Sequence, residues 1–404
     1  MKEKLYDFFK FINECALYGL LFFLAISNAL VESFVCLLFF CFIVRKIIKP
    51  DFKCFKFWPN FLLLLFWLLS ALSLCNSFPY LKISLNALFG KWLQYFLICV
   101  LVQDIVYDYK TIKRAMTAFL LGASLAVFSG LSQHFFGVEF LRHKSKVDVL
   151  GGFQGVTASF NHYNAFGAYL VVVLSLTVAL LLAGNHSRFK TRCLSIFAVL
   201  STLALIFTFS RGSWLGMMVA FIFLVILSKR YPKWFIPSLF ITLVVSLLFF
   251  SVRSRFFYSF QPGGDSERFR KWLVAISMIK EHPFLGMGVG TFMANFSKYL
   301  PADSPAYTHN CYLQICSETG VLSLITFLVF VISLFYLGSK EFFKTKDYLL
   351  LGLLSGMAGY LAHSFFEVNL YSLRLAVLFW TWAGLIIAVI RFNQKENGRE
   401  SRCC

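Results

Sequence analysis

The sequence is poor in charged residues, and this shortage decides its broad class. Only 14% of the 404 residues are Asp, Glu, Lys or Arg, whereas 59% are hydrophobic and the mean hydropathy is +0.74. A soluble globule of this size needs far more polar surface than these residues can supply. The composition therefore excludes an ordinary soluble enzyme and predicts a protein of the lipid bilayer.

Patterns typical of several other classes are also missing. The eleven cysteines are scattered, mostly through apolar segments, with neither metal-ligand spacing nor the paired framework of a small secreted domain. Lys and Arg outnumber Asp and Glu by 38 to 19, yet they punctuate apolar runs instead of gathering on one soluble face. That distribution argues against nucleic-acid binding. We expect no metal and no cofactor, and we see no cleavable signal peptide.

The chain consists instead of apolar runs about twenty residues long, which is the length a helix needs to cross a bilayer. Transmembrane β-barrels alternate apolar and polar residues in shorter segments. The predicted fold class is therefore an all-α, polytopic membrane protein with about twelve transmembrane helices. These spans are expected near residues 12–28, 31–48, 60–76, 86–105, 115–136, 162–183, 193–210, 212–228, 234–251, 312–338, 348–367 and 371–391.

The loops between these spans predict the orientation of the chain. From a cytoplasmic N-terminus every inner loop is basic, as the positive-inside rule requires, and both termini are cytoplasmic. Two outer connections are long, 137–161 and 252–311, and the second separates spans nine and ten. Long loops usually carry function. We expect an N-terminal bundle at 1–150 with spans one to five, a second membrane domain at 151–391, and a basic cytoplasmic tail at 392–404.

Arg211 lies in a very tight outer hairpin, within the sequence Ser-Arg-Gly-Ser-Trp at 210–214. An arginine at a span end is costly unless its side chain reaches headgroups or binds an anion. Its outward location runs against the positive-inside bias. Both a headgroup contact and an anion site remain open for this residue.

The long outer loop contains a predicted amphipathic helix at 268–280, expected to lie along the outer membrane interface. Arg268 on this helix contacts either headgroups or a substrate. Gly286, Gly288 and Gly290 follow without any preceding strand, which argues against a dinucleotide fingerprint. They predict an irregular turn, and a phosphate cradle is the weaker alternative. The apolar positions of the helix are Phe269, Trp272, Leu273, Ile276 and Ile279.

His309 enters the tenth span after the long loop, and Gln314 and Glu318 follow it, four residues apart on one helix face. Histidine is the side chain most able to accept a proton near neutral pH. A carboxylate inside a span is itself an indication of function. We therefore interpret His309 as a candidate catalytic base.

Two further groups lie near the outer ends of spans. Asn161, His162 and Asn164 begin the sixth span, and His363 and Glu367 lie one turn apart near the end of the eleventh. Each group is accounted for equally well by hydrogen bonds between helices. We keep them as secondary candidates.

Taken together and in this order, these segments resemble the O-antigen ligase and polymerase superfamily. The resemblance rests on the Ser-Arg-Gly hairpin, on the helix that leads into Pro-Phe-Leu-Gly-Met-Gly-Val-Gly-Thr-Phe, and on His-Asn-x-Tyr-Leu followed by Glu-x-Gly. Phe-Asn-His-Tyr-Asn at 160–164 is similar to an upstream asparagine motif of that family. The resemblance covers about 150–370, and the N-terminal third matches only in hydropathy.

The resemblance implies a glycosyltransferase that moves a glycan from undecaprenyl pyrophosphate to an acceptor. In the ligases the acceptor is a sugar of the lipid A core, and the reaction, on the periplasmic face of the bacterial inner membrane, is inverting and needs no metal. The resemblance further implies that His309 is the catalytic base. Arg211 and Arg268 would bind the donor pyrophosphate, because guanidinium groups donate in pairs and keep their charge. Asn310, Glu318, Asn164 and Arg270 would support the site, and Arg270 is also the alternative to Arg268.

Two other functions compete with the ligase interpretation. A polymerase of the same superfamily would use the same donor. Polymerases tend to have two large basic outer loops, whereas the first of the two long loops here, 137–161, has only about 25 residues. A transporter or lipid flippase would need charged or broken helices near the middle of the membrane, whereas most ionisable residues here lie at span ends. We therefore favour the ligase.

Overall fold

The computed structural model describes residues 2–51, 57–143, 146–149, 153–229, 266–301 and 303–396. Most of this part of the chain is helical. Its α-helices are α1 (Lys2–Phe23), α2 (Asn28–Ile48), α3 (Trp58–Leu72), α4 (Leu81–Ala87), α5 (Leu93–Ile105), α6 (Tyr109–Phe135), α7 (Tyr163–Ala183), α8 (Arg188–Phe207), α9 (Arg211–Ser228), α10 (Ser266–Glu281), α11 (Phe292–Tyr299), α12 (Cys311–Thr345), α13 (Tyr348–His363) and α14 (Leu373–Glu396). Short 3-10 turns occupy Ser73–Asn76 and Asn369–Tyr371, and a π-helical turn, Leu88–Trp92, joins α4 to α5.

Eight helical segments of the described residues are long and apolar enough to cross a membrane, and α13 is a shorter apolar helix. Helices satisfy their own backbone hydrogen bonds, which is the requirement for crossing hydrocarbon. The predicted class, an all-α polytopic membrane protein, is confirmed. The count of twelve spans stays a prediction, and the ninth predicted span, 234–251, lies outside the described residues.

The helix ends fall into two groups that match the predicted inner and outer loops. At one end, Tyr109 Oη donates to Asp347 Oδ1 at 2.8 Å, and Asn393 Nδ2 lies 3.5 Å from Asp347 Oδ2. At the other, the backbone N–H of Cys311 donates to the carbonyl of Ser364 at 2.9 Å. Two loops predicted to be cytoplasmic and the start of the predicted cytoplasmic tail therefore meet at one end of the bundle, and the candidate residues gather at the other.

Helix α13 packs between α7 and α9, and small residues permit this close approach. A Cβ atom on Gly216 would lie only 2.7 Å from the carbonyl oxygen of Gly359. Small residues at helix contacts let backbones approach closely in membranes, where apolar burial gives little drive for association. The packing brings the last residue of α13, His363, beside the first turn of α9, which begins with Arg211.

The first outer loop contains a structure that the all-α prediction lacked. Strand β1 (Val147–Val149) pairs with β2 (Phe153–Gly155) in an antiparallel ladder, with Val147 opposite Gly155. The backbone N–H of Val156 then donates to the carbonyl of Phe207 at 3.1 Å. The short ladder thus connects the first outer loop to the end of α8.

The predicted amphipathic helix of the long loop is present as α10, and besides its exposed apolar face it has a second face that is buried against the protein. Phe269 and Leu273 remain 59% and 63% exposed, while Val274, Ala275 and Met278 are buried against the protein. Lys271 is buried on the second face, and its Nζ lies 2.7 Å from Oε1 of Glu267. The exposed apolar side chains agree with a helix at a lipid interface.

Candidate active site

His309 lies in a strained turn immediately before α12. Its φ is 52°, in the left-handed region that costs a non-glycine residue on the order of 1 kcal/mol or more. Hydrogen bonds hold this turn: Thr308 Oγ1 donates to the carbonyl of Asn310 at 2.6 Å, and the N–H of Thr308 donates to Gln314 Oε1 at 3.1 Å. Asn310 also caps α12, because its side chain accepts from the first free N–H groups of the helix. Asn310, predicted to support the site, therefore fixes the start of α12 directly after His309.

The imidazole of His309 points at Glu367. Nδ1 of His309 lies 3.0 Å from Oε2 of Glu367, and the two side chains are 32% and 13% exposed. An ionised carboxylate can only accept hydrogen bonds, so Nδ1 of His309 must carry the hydrogen. In the neutral ring, Nε2 is then unprotonated and can accept a proton. The arrangement can present Nε2 to a substrate hydroxyl.

The other oxygen of Glu367 is also engaged. Arg268 Nη2 lies 3.4 Å from Oε1 of Glu367, and Nδ2 of Asn164 donates to the same oxygen. Three residues far apart in the sequence, His309, Arg268 and Asn164, thus converge on one carboxylate. Sequence reasoning placed Glu367 only among the secondary candidates, although its spacing from His363 was the available signal.

The charge state of Glu367 follows from these partners. Burial raises the pKa of the carboxyl, but the hydrogen bond and charge of His309, with the positive charge of Arg268, outweigh burial and lower it below its ordinary value. Glu367 is therefore ionised at neutral pH. Its negative charge orients His309 and favours the imidazolium that forms when the ring accepts a proton.

A small cavity lies between Glu367 and the first turn of α9, and His363 lines this cavity. Nδ2 of Asn369 lies 3.0 Å from Nδ1 of His363 and donates to it. The hydrogen of the neutral ring is therefore on Nε2. Among the described residues this buried Nε2 has no hydrogen-bond partner. Its N–H is thus available to an acceptor, but the cavity, at about 10 Å³, has room for about one water molecule and must widen to admit a larger group. The cavity is lined by Tyr163, Asn164, Phe209, Arg211, Gly212, Arg268, His363, Phe366 and Glu367.

The two arginines left open by the sequence have different surroundings. Arg268 is 28% exposed and reaches Glu367, whereas Arg270 is 52% exposed and pairs with Asp303, with 3.2 Å between Nη2 and Oδ2. Successive positions on a helix point in different directions, so two residues two apart cannot both face the site. Arg268 is the member of this pair beside His309.

Glu318 lies deeper in α12 and does not touch His309. Its carboxylate accepts from the N–H groups of Gly290 and Phe292 at 2.9 and 3.2 Å, from Gln314 Nε2 at 2.9 Å and from Tyr371 Oη at 3.0 Å. Gln314 in turn holds the backbone before His309. Glu318 therefore acts on the site indirectly, through the position of the turn.

The glycine-rich turn is inserted into a break in α12. Gly320 has φ 84° and ψ 169°, and a Cβ atom there would collide with the carbonyl of Phe284. The N–H groups of Met287 and Gly288 donate to the carbonyls of Ser317 and Glu318 at 2.9 and 3.0 Å. The predicted irregular turn is present. The phosphate-cradle alternative is wrong in this geometry, because these N–H groups already bond within the protein.

A larger cavity of about 350 Å³ lies on the other side of Asn164 and Glu367. Asn164 and Glu367 line both cavities, and Asn161 and His162 line only this one. The sequence analysis did not select Arg374, which lines this cavity. The indication available was an arginine at the outer end of a span, as at position 211. Within the described residues no group of three or more His, Cys, Asp and Glu side chains is placed to hold a metal ion.

The apolar helical bundle defines the class, a multi-pass membrane protein, and a cluster of charged side chains lies at one end of the bundle. The O-antigen ligase family model matches residues 196–328, about a third of the chain, and over these residues the chain is similar to that family. The match runs from α8 into α12 and includes Arg211, Arg268 and His309, whereas Asn164, Glu367 and Arg374 lie beyond it. Comparison with curated proteins finds no match. The family acts in glycosyl transfer of the O-antigen ligase or polymerase type, on lipid-linked glycans and their acceptors.

Proposed function

We propose that this protein is a ligase that transfers a glycan from undecaprenyl pyrophosphate to a sugar of the lipid A core, on the periplasmic face of the bacterial inner membrane. The observation that carries the proposal is the 3.0 Å hydrogen bond between Nδ1 of His309 and Glu367, with Arg268 beside the same carboxylate. A histidine oriented by a carboxylate can deprotonate the acceptor hydroxyl, and a nearby arginine can stabilise the negative charge of the leaving diphosphate.

In the proposed reaction the acceptor hydroxyl donates its proton to Nε2 of His309. Its oxygen then attacks the anomeric carbon of the donor sugar, on the face opposite the pyrophosphate. The new carbon–oxygen bond forms as the bond to the pyrophosphate oxygen breaks, so the configuration inverts. The proton stays on His309, next to ionised Glu367, until it passes to solvent or to the released pyrophosphate.

The leaving pyrophosphate gathers negative charge, and we assign its stabilisation to Arg211 and Arg268. Guanidinium groups donate paired hydrogen bonds to phosphate oxygens and remain charged at any relevant pH. The unpartnered N–H of buried His363 adds a neutral donor in the same small cavity. Arg268 currently bonds Glu367, and the arriving pyrophosphate would share that arginine.

Replacement of His309 by Ala tests the proposal. In a strain that lacks the chromosomal copy, His309→Ala is compared with wild type and with His282→Ala, a half-exposed histidine at the end of α10 that lines neither cavity. Immunoblots of membranes verify equal amounts of protein, and gels report lipopolysaccharide and the undecaprenyl-linked pool. We expect a transfer rate about 10²- to 10⁴-fold lower for His309→Ala, and a normal pattern for the control.

The accumulating species identifies the reaction. Long chains on the carrier with a bare lipid A core support a ligase. Single repeat units on the carrier would make the protein a polymerase of the same superfamily. An unchanged pattern in His309→Ala would remove this histidine from the mechanism and favour a transporter.

A further inference from the structure

Arg374 is a buried arginine at the start of α14, only 4% exposed. Its Nη1 and Nη2 donate to Oγ and the carbonyl of Ser159 at 3.1 and 2.8 Å, and its guanidinium lies 3.9 Å from the ring centroid of Phe160. These contacts orient the side chain along one wall of the larger cavity.

The positive charge of Arg374 is not balanced within the described part of the chain, where no carboxylate forms an ion pair with it. The side chain of Arg142 adds a second positive field at this position. Burial of an uncompensated charge is unfavourable, and hydroxyl, carbonyl and ring contacts offset only part of the lost hydration. A buried cation facing an open cavity is the arrangement expected where an anion binds.

The remaining walls of the cavity are suited to a sugar. Its volume of about 350 Å³ is at the lower end of the range for small-molecule sites, enough for about one or two sugar rings. Amide and hydroxyl side chains, which can both donate and accept, match the hydroxyl groups of a sugar. The polar side chains include Asn28, Asn161, Asn164, Asn369, Tyr371 and Ser372.

We propose that this cavity binds an acidic sugar of the acceptor glycan, with the carboxylate or phosphate of that sugar paired to Arg374. The inference rests on the proposed function for its substrate. Asn164 and Glu367 separate this cavity from the one with Arg211 and Arg268, so donor pyrophosphate on one side leaves the other for the acceptor. An acceptor held here lies against Glu367, next to the base.

Binding of simple probes tests the proposal without turnover. Full-length protein in lipid nanodiscs is titrated with glucuronate, glucose 6-phosphate and glucose, and binding is read by saturation-transfer NMR. We expect at least one acidic sugar to bind about tenfold more tightly than glucose. The preference should vanish in Arg374→Gln, persist in part in Arg374→Lys, and survive in Arg268→Gln. Equal binding of acidic and neutral sugars, or a preference that survives Arg374→Gln, overturns the proposal.

Further variants and a competing ligand test the proposal in case Arg374→Gln does not fold, and separate it from the proposed function. If Arg374→Gln does not fold, Ser372→Glu places a carboxylate in the same cavity and should abolish the preference; a preference that persists there overturns the proposal. Inorganic pyrophosphate that displaces glucuronate through Arg374 would make this the donor site and would equally overturn it. His309→Ala should lose transfer and keep the acidic-sugar preference, which separates failure of this inference from failure of the proposed function.

Discussion

Glu318 is fully buried and Glu367 is half-buried at a cavity wall, and their surroundings differ in kind. Glu318, inside α12, is bonded by two backbone N–H groups, an amide and a phenol. Glu367, in the loop after α13, is bonded by a histidine, an arginine and an amide, and it borders two cavities. Donors fixed in the backbone hold a fold together, whereas side chains at a cavity wall can change partner when a substrate arrives.

The comparison teaches that an intramembrane carboxylate is not sufficient to mark the reacting centre. Glu318 has the deeper burial and the more complete hydrogen bonding, and it supports the turn before His309 through Gln314. Glu367 lies at a helix end, where the bundle opens. The partners of a carboxylate, more than its depth, separate a structural role from a chemical one.

Of the substitutions that test this comparison, Glu367→Gln should lower the transfer rate most. The amide is nearly isosteric but cannot stabilise the imidazolium of His309, so we expect the transfer rate to fall on the order of 10²- to 10⁴-fold. Because the pKa of Glu367 is lowered, the wild-type carboxylate is ionised at every pH above that value, and the loss should be similar between about pH 6 and 8. Transfer assays with purified protein across this range measure it. A rate within twofold of wild type would contradict the assigned role.

Arg268 and Arg270 provide the next comparison, on the same helix. Arg268→Lys removes the fork that reaches Glu367 and the proposed pyrophosphate, and we expect kcat/KM to fall about tenfold or more. Arg270→Lys alters only an exposed pair with Asp303 and should change the rate less than about twofold. Steady-state kinetics with the lipid-linked donor distinguish them. Equal losses in the two variants would mean that the arginines act together.

Glu318→Gln should change stability more than chemistry. One oxygen becomes an NH₂ group that faces N–H and O–H donors, so we expect about 1–3 kcal/mol of lost stability, seen as a lower unfolding temperature in detergent. The remaining folded protein should keep the pH profile of the wild type. A normal unfolding temperature with lost activity would move Glu318 into the reacting centre.

His363 is expected to give the smallest effect. His363→Phe removes the N–H that faces the small cavity, and a single neutral hydrogen bond is worth about 0.5–1.5 kcal/mol, so kcat/KM should fall about two- to tenfold. His363→Gln retains an N–H and should recover most of the loss at the same unfolding temperature. If Gln and Phe are equally impaired, the side chain serves packing alone.

The sequence by itself determined the membrane class and the positions of most described helices, because apolar length and the spacing of basic loops are local properties of the chain. It also offered Arg211, Arg268 and His309 as candidates, through their places at span ends and in the long loop and through the resemblance to the O-antigen ligase superfamily. The packing of α13 between α7 and α9 could not be read from it. That packing brings Asn164, His309 and Glu367 together across some two hundred residues. Only the tertiary structure decided which glutamate faces His309, which arginine turns inward, and that Arg374 is buried beside a cavity, because these depend on contacts between helices distant in the sequence.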